Sequence, residues 1–338
     1  MNPSRNLTYP GNVLLIDGIS GAGKTMVTRL ADGYKLTTSP AFNYSLEYLS
    51  ILHSLEKLDT STAQLLIQLN FDQRRYDGSI SREVNLRPSD LSSVLKSSKR
   101  KDYLLSLLKN DSAEISDERM RAQPNLCFVT HQLNGATKLI ENTLLDQYFE
   151  LMCVRHPYYL LSHWESYVHL LGTSPRDFTL WLDVGGANVP WFIQRNVNLY
   201  LESNQINRAA LCIIEILQQT FLKMSKSDPR RVVIPFERFV LSPREIITEI
   251  ENRFPMGNSN LIDGILRREK VPRDHINSGR DLPIYKRYGS GSLKSSVDMK
   301  DDFRAQEINA QRRLSPEIFD ELRILSDKYL EEFGEWFK

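Results

Sequence analysis

Asn12-Val-Leu-Leu-Ile-Asp-Gly-Ile-Ser-Gly-Ala-Gly-Lys-Thr25 is a short apolar run that passes into a glycine-rich loop and then into a helical pattern. Residues Gly18–Thr25 fit G-x-x-x-x-G-K-[S/T], and a strand before with a helix after is the context this motif needs. Gly18, Gly21 and Gly23 let the backbone curl so that successive N–H groups point at one anion. The helix start adds the positive end of its dipole. Lys24 supplies a point charge, and the Thr25 hydroxyl can bond a phosphate oxygen or a metal. Ser20 and Ala22 complete the loop. A chance glycine-rich turn is the bland alternative, and the flanking strand and helix count against it. Nucleotide phosphate is therefore the expected ligand.

Outward from the loop, Asn12–Asp17, Leu126–Thr130, Phe149–Val154 and Arg231–Pro235 are short, continuous apolar runs bounded by turns, as buried parallel strands are. Tyr34–Thr38 is a weaker fifth candidate. Helical patterns cover Lys24–Asp32, Thr137–Leu145, Tyr158–Leu171, Asn204–Ser225, Pro243–Phe254 and Ser315–Phe337. Strand and helix alternate, which predicts an α/β fold with a doubly wound parallel sheet of about five strands. Residues 1–338 are expected to form one domain, with a polar helical insertion at about 72–122 and a basic loop at about 267–300. The insertion reads as a solvated helical face or as a cap over a site. The loop is of a length that is usually functional or disordered.

Lys+Arg is 43 against Asp+Glu 42, a formal charge of +1, which excludes a generally basic nucleic-acid coat and an acidic disordered chain. A local basic pocket stays open. Cys127, Cys153 and Cys212 cannot make a disulfide framework, and buried thiols are the expectation. The polar N-terminus runs into a strand and reads as neither signal peptide nor anchor. No run reaches the length of a membrane span. The expected location is the cytoplasm.

A metal-dependent ATP enzyme needs a carboxylate near the end of a strand beside the loop. The second strand ends in His131-Gln132 and the third in Arg155-His156-Pro157. Asp17 adjoins the loop, where a residue often faces the loop's own backbone, and Glu237 follows the fourth strand as a possible metal partner.

At these strand ends the chain resembles the sulfotransferases that use 3′-phosphoadenosine 5′-phosphosulfate (PAPS). Phe128-Val-Thr-His-Gln-Leu133 is similar to the strand end that presents their catalytic histidine. Val154-Arg-His-Pro-Tyr-Tyr-Leu-Leu-Ser-His163 is similar to their Arg-x-Pro…Ser element for the 3′-phosphate. Val233-Ile-Pro-Phe-Glu-Arg-Phe-Val-Leu-Ser-Pro-Arg-Glu-Ile246 is similar to their strand-to-helix segment. Lys270-Val-Pro-Arg-Asp-His-Ile-Asn-Ser-Gly-Arg280 is similar to their basic closing loop. The segments follow the family's order over roughly residues 12–290. The sequence also departs from the pattern. Gly21 stands where the family's loop usually has lysine, with Lys24 placed as in kinases, and Val129 replaces a lysine before Thr-His. Arg155 to Ser162 is one residue short, which sets His163 level with the serine's usual position.

The resemblance implies PAPS as donor, no metal, and a small-molecule or glycan acceptor; nucleic acid and a membrane span are not expected, and oligomeric state is not legible. It implies His131 as general base, which suits a histidine at the C-terminal end of a parallel strand. Lys24 would stabilise charge on the leaving nucleotide. Arg155 can hold the 3′-phosphate bidentately, with Ser162 adding a hydroxyl. Arg273, Gly279 and Arg280 would close over the nucleotide. Each has a bland counterpart: a strand-end histidine that packs, an arginine in a structural ion pair, a serine on a helix surface, a solvated basic loop. His156, His163 and His169 read as helix-surface or core residues, and Trp164, Trp181 and Trp191 as core or acceptor-pocket walls. A Mg-ATP-dependent kinase of a small molecule and a non-catalytic nucleotide-binding protein are the competing classes.

Overall fold

The computed structural model describes residue 5 and residues 11–82, 84–88, 90, 92–108, 113–175, 177–257, 259–276 and 298–337. Strand β1 (Val13–Gly18) is buried along its whole length. Its apolar side chains leave no face for water, so helices must cover both sides. Following in the chain are β2 (Ala41–Phe42), β3 (Leu126–Val129) and β4 (Tyr148–Val154), then a hairpin of β5 (Trp181–Val184) and β6 (Ala187–Pro190), and β7 (Arg231–Pro235). The main sheet has the order β2-β3-β1-β4-β7, with every neighbouring pair parallel. The doubly wound parallel α/β arrangement expected from the alternation of elements is the one observed. From β1 the chain runs to β2 and β3 on one side and then crosses to β4 on the other, so the order reverses at β1. In such sheets the crevice beyond the strand ends at this reversal holds the ligand.

The expected fifth strand at Tyr34–Thr38 is not a strand. The Thr37 hydroxyl bonds the carbonyls of Ala31 and Tyr34, which wraps the chain back on the helix before it and leaves one isolated bridge to Asn125. The edge strand is instead the two-residue β2.

Helix α1 (Lys24–Asp32) buries Met26, Val27, Leu30 and Ala31. Helices α2 (Tyr44–Ser54) and α3 (Thr60–Ser79) start at Asn43 and Asp59, whose side chains accept from the N–H groups of Leu46 and Thr62. The polar region at about 72–122 begins inside α3 and continues as α4 (Arg100–Ser106) and α5 (Ala113–Ala122). Asp32, at the end of α1, fastens it: its carboxylate accepts from Ser97 Oγ at 2.8 Å and Ser98 N at 2.6 Å.

Beyond β3 come α6 (Lys138–Leu144), α7 (Pro157–Val168), α8 (Val197–Glu202), α9 (Gln205–Met224), α10 (Phe236–Leu241), α11 (Pro243–Arg253), α12 (Ile262–Arg268), α13 (Met299–Arg313) and α14 (Pro316–Phe333). Arg267 and Arg268, placed in a loop by the sequence, end α12; residues 277–297 of that loop lie outside the described residues. At the opposite end of the sheet from the loop, Glu150 is fully buried. It meets Lys223 at 2.7 Å and Arg231 at 2.9 Å, and Glu141 shares Lys223 at 2.9 Å. No helix among the described residues is long and apolar enough to cross a membrane.

Candidate active site

The loop after β1 is held by close backbone approach. A Cβ on Gly18 would lie 2.0 Å from the Cys153 carbonyl oxygen of β4, so no side chain fits there. Gly23, with φ of +88°, caps α1, in the left-handed region that glycine enters without strain. Trp164 Nε1 donates to the Ser20 carbonyl at 3.0 Å, so a tryptophan read as core or pocket wall shapes the loop. Lys24 Nζ turns back to donate to the Gly18 carbonyl. Desolvation pushes its ammonium down, against the pull of Asp17. Among the described residues no hydrogen bond is recorded for the Thr25 hydroxyl.

Two further basic groups meet the loop from the β4–α7 turn. Arg155 is 9% exposed. One terminal nitrogen donates to the Gly21 carbonyl at 3.0 Å, and the guanidinium lies 4.1 Å from the Phe236 ring centre. Its Nε is buried with no hydrogen-bond partner among the described residues. His163 Nε2 is 3.0 Å from Ser20 Oγ. Burial, then Arg155 and Lys24, push its ring down to about 4. Lys24 and Arg155 thus crowd positive charge into one place that an anion would relieve, with the neutral His163 ring beside them, and the Arg155 Nε has a bond still to give. These residues fit a phosphate-bearing ligand.

Ser162 is exposed, whereas His163, one residue on, reaches the loop from α7, as Trp164 does. Arg273 is 7% exposed. It donates to the Lys270 carbonyl at 3.1 Å and lies 5.9 Å from the Phe236 ring centre, so it and Arg155 share one ring. Gly279 and Arg280 lie outside the described residues.

Behind Arg155, His156 is fully buried. Its Nδ1 accepts from Tyr158 N, its Nε2 is 3.0 Å from Ser326 Oγ, and its own N–H donates to Glu237. Tyr329 donates to the other oxygen of Glu237. Glu237 is committed to this network at the back of the turn, rather than to the loop. Asp17 turns one oxygen to Thr130 Oγ1 at 2.8 Å and Leu133 N at 3.0 Å. It ties the ends of β1 and β3 together, where the sequence suggested the loop's own backbone.

His131 follows β3, and Gln132 N donates to the Gly18 carbonyl at 3.2 Å. The carbonyl that receives Lys24 therefore also anchors the histidine segment. His131 Nδ1 is 3.1 Å from Glu47 Oε1 on α2. Phe42 and Tyr44 lie nearly parallel to its ring, with centres 4.8 and 5.6 Å away. Beside it opens a cleft of about 40 Å³ walled by Tyr44, Tyr48, Phe178 and Trp191. Tyr48 fixes the outer wall by donating to the Phe178 carbonyl at 2.9 Å. Trp191 is read from sequence as core or acceptor-pocket wall, but Tyr44, Glu47, Tyr48 and Phe178 are not. They come from α2 and the segment before β5, and no local pattern marks them.

No protein-family model matches the sequence, and no curated protein does. Among solved structures, the chain is similar to the sulfotransferase domain from the Synechococcus PCC 7002 olefin synthase, at 15% identity and a TM-score of 0.43, over 92% of this chain and 98% of that one. It is similar to the sulfotransferase domain from the curacin biosynthetic pathway at 14% identity and a TM-score of 0.41, covering 90% and 99% of the two chains. For sulfotransferase STF9 from Mycobacterium avium the values are 12% and 0.40, covering 96% and 77%.

Proposed function

We propose that this chain is a sulfotransferase that moves the sulfuryl group of PAPS to a hydroxyl or amine of a small-molecule or glycan acceptor. The observation that carries the proposal is the double use of the Gly18 carbonyl. It joins a phosphate cradle, with Lys24 and Arg155 as its cations and the neutral His163 beside them, to the strand end that bears His131 beside a cleft with aromatic walls. An anionic donor and the acceptor's hydroxyl or amine would thus meet at one backbone atom.

PAPS supplies an activated sulfuryl group on its 5′-phosphate and a second phosphate as a handle. Lys24 and the loop N–H groups neutralise the charge left on the departing phosphate oxygen. Arg155 holds the 3′-phosphate, and the basic segment that begins with Arg273 would close over the nucleotide. His131 accepts the acceptor's proton as the new bond forms, and the aromatic walls orient the acceptor and keep water out.

The test is direct. Adenosine 3′,5′-bisphosphate without metal should raise the melting temperature, and radiolabelled sulfuryl transfer from PAPS should be detectable. His131→Asn should keep that stabilisation while turnover falls by about 10²–10⁴, the usual worth of a positioned base. Stabilisation by Mg-ATP alone would replace this reading with the kinase. Stabilisation by the bisphosphate with no transfer to any acceptor would leave a nucleotide-binding protein.

A further inference from the structure

Glu47 lies in the first turn of α2 and is 6% exposed. A carboxylate so placed needs a partner to stay charged. Among the described residues its carboxylate meets one side chain, His131, at 3.1 Å. Burial pushes the carboxyl up, and the hydrogen bond to His131 pulls it back.

The histidine is not a core residue, because its side chain is 36% exposed. Yet its ring is fixed twice over. Phe42 and Tyr44 set its plane, at interplanar angles of 10° and 12°, and Glu47 sets its rotation within that plane. Packing alone needs no such restraint on a half-exposed ring. The neutral ring holds one proton, and the nitrogen beside a carboxylate is where it is held.

We infer that Glu47 is a positioning residue that keeps the proton of His131 on Nδ1 and so leaves the Nε2 lone pair for the acceptor. The role rests on the reading of His131 as base. The acceptor's proton passes to Nε2 as its oxygen bonds sulfur, and the electron pair of the broken bond stays on the nucleotide's phosphate oxygen. Glu47 remains ionised throughout and faces the imidazolium that forms. A carboxylate that orients a catalytic histidine in this way acts chiefly by fixing the tautomer.

Glu47→Gln tests this because it is close to isosteric, and its amide N–H can donate to Nδ1 and drive the proton to Nε2. In ¹⁵N-histidine-labelled protein at pH 8, the wild type should show protonated Nδ1 and bare Nε2, and Glu47→Gln the reverse. The kcat of the variant should fall about 10²-fold or more. Its donor KM and its stabilisation by adenosine 3′,5′-bisphosphate should stay as in wild type, and Glu47→Asp, which keeps the charge, should recover part of kcat. Bare Nδ1 in the wild type overturns the inference, even if the variants fail to fold. So does an unchanged kcat in Glu47→Gln, or a fall in kcat without the tautomer change. If the wild type transfers no sulfuryl group, the functional reading fails, while the tautomer still decides what Glu47 does.

Discussion

Replacing Lys24 by Met should separate the binding role of the loop from its stability. The side chain keeps nearly its length and loses only the ammonium. In the free protein the change removes one charge-assisted hydrogen bond to the Gly18 carbonyl, worth about 1.5–3 kcal/mol. It also removes the desolvation that pushes this ammonium down, so the two effects oppose each other. Unliganded stability should change by less than about 1 kcal/mol, within the range of volume-conserving swaps. Nucleotide binding has no such offset. Loss of a cation facing phosphate in a shielded loop costs about 2.7–4 kcal/mol, or roughly 100-fold or more in affinity. With adenosine 3′,5′-bisphosphate at 100 times its Kd, the wild type gains about 2.7 kcal/mol of stability; at the same concentration a variant 100-fold weaker gains about 0.4. Differential scanning fluorimetry with and without ligand reads both quantities. A large drop in the unliganded melting temperature with the ligand shift retained would make Lys24 a structural strut of the loop and refute the reasoning.

Arg155→Ala should weaken adenosine 3′,5′-bisphosphate at least about tenfold more than adenosine 5′-monophosphate by calorimetry, because charged hydrogen bonds to the second phosphate are lost. Equal losses would reduce Arg155 to a support for the Gly21 carbonyl. Glu150→Gln should lower stability in urea by about 3 kcal/mol, because the buried cations Lys223 and Arg231 are left to Glu141 alone; a loss under about 1 kcal/mol would contradict this. The fourth prediction concerns pH. Burial, with Arg155 beside it, holds His156 down to about 3 against 6.5 when free, so the folded state binds fewer protons than the unfolded chain below pH 6.5. Its contribution is full above that pH and is lost as pH falls, by about 1.4 kcal/mol per unit. Glu47 and Glu237, pushed up by burial, act in the opposite direction, so the comparison must be with His156→Asn. Below pH 6 that variant should lose stability less steeply by the stated slope, and parallel curves would refute the assignment.

The strand–loop–helix at 12–32 was legible because its information is local: apolar run, glycines and helix start lie within some twenty residues. The partner of His131 was not, because Glu47 stands 84 positions earlier on a helix with no distinguishing pattern. Ser162 and His163 show the limit of motif matching. One residue along a helix turns a side chain by about 100°, so a spacing one short sends the serine to solvent and the histidine to the loop. The edge strand was misplaced for a related reason. Tyr34–Thr38 has strand-like composition, but the Thr37 hydroxyl closes a turn there, and two residues at Ala41–Phe42 suffice to pair with β3.

The network behind Arg155 has a consequence for the order in which the protein is made. The glycine-rich loop and the residues that hold it, Gln132, Cys153 and Trp164, are all present once residue 164 has emerged, and that part of the fold is complete. The turn that carries Arg155 is not, because His156 meets Ser326 across 170 positions and Glu237 meets Tyr329 across 92. At about 5–20 residues per second the first of these waits takes roughly 9–34 s. Throughout that time two polar groups destined for burial are left to water or to whatever else binds them. A nascent chain therefore carries its glycine-rich loop well before the turn beside it can set, and a ribosome stalled short of residue 326 presents that unfinished turn to chaperones and proteases.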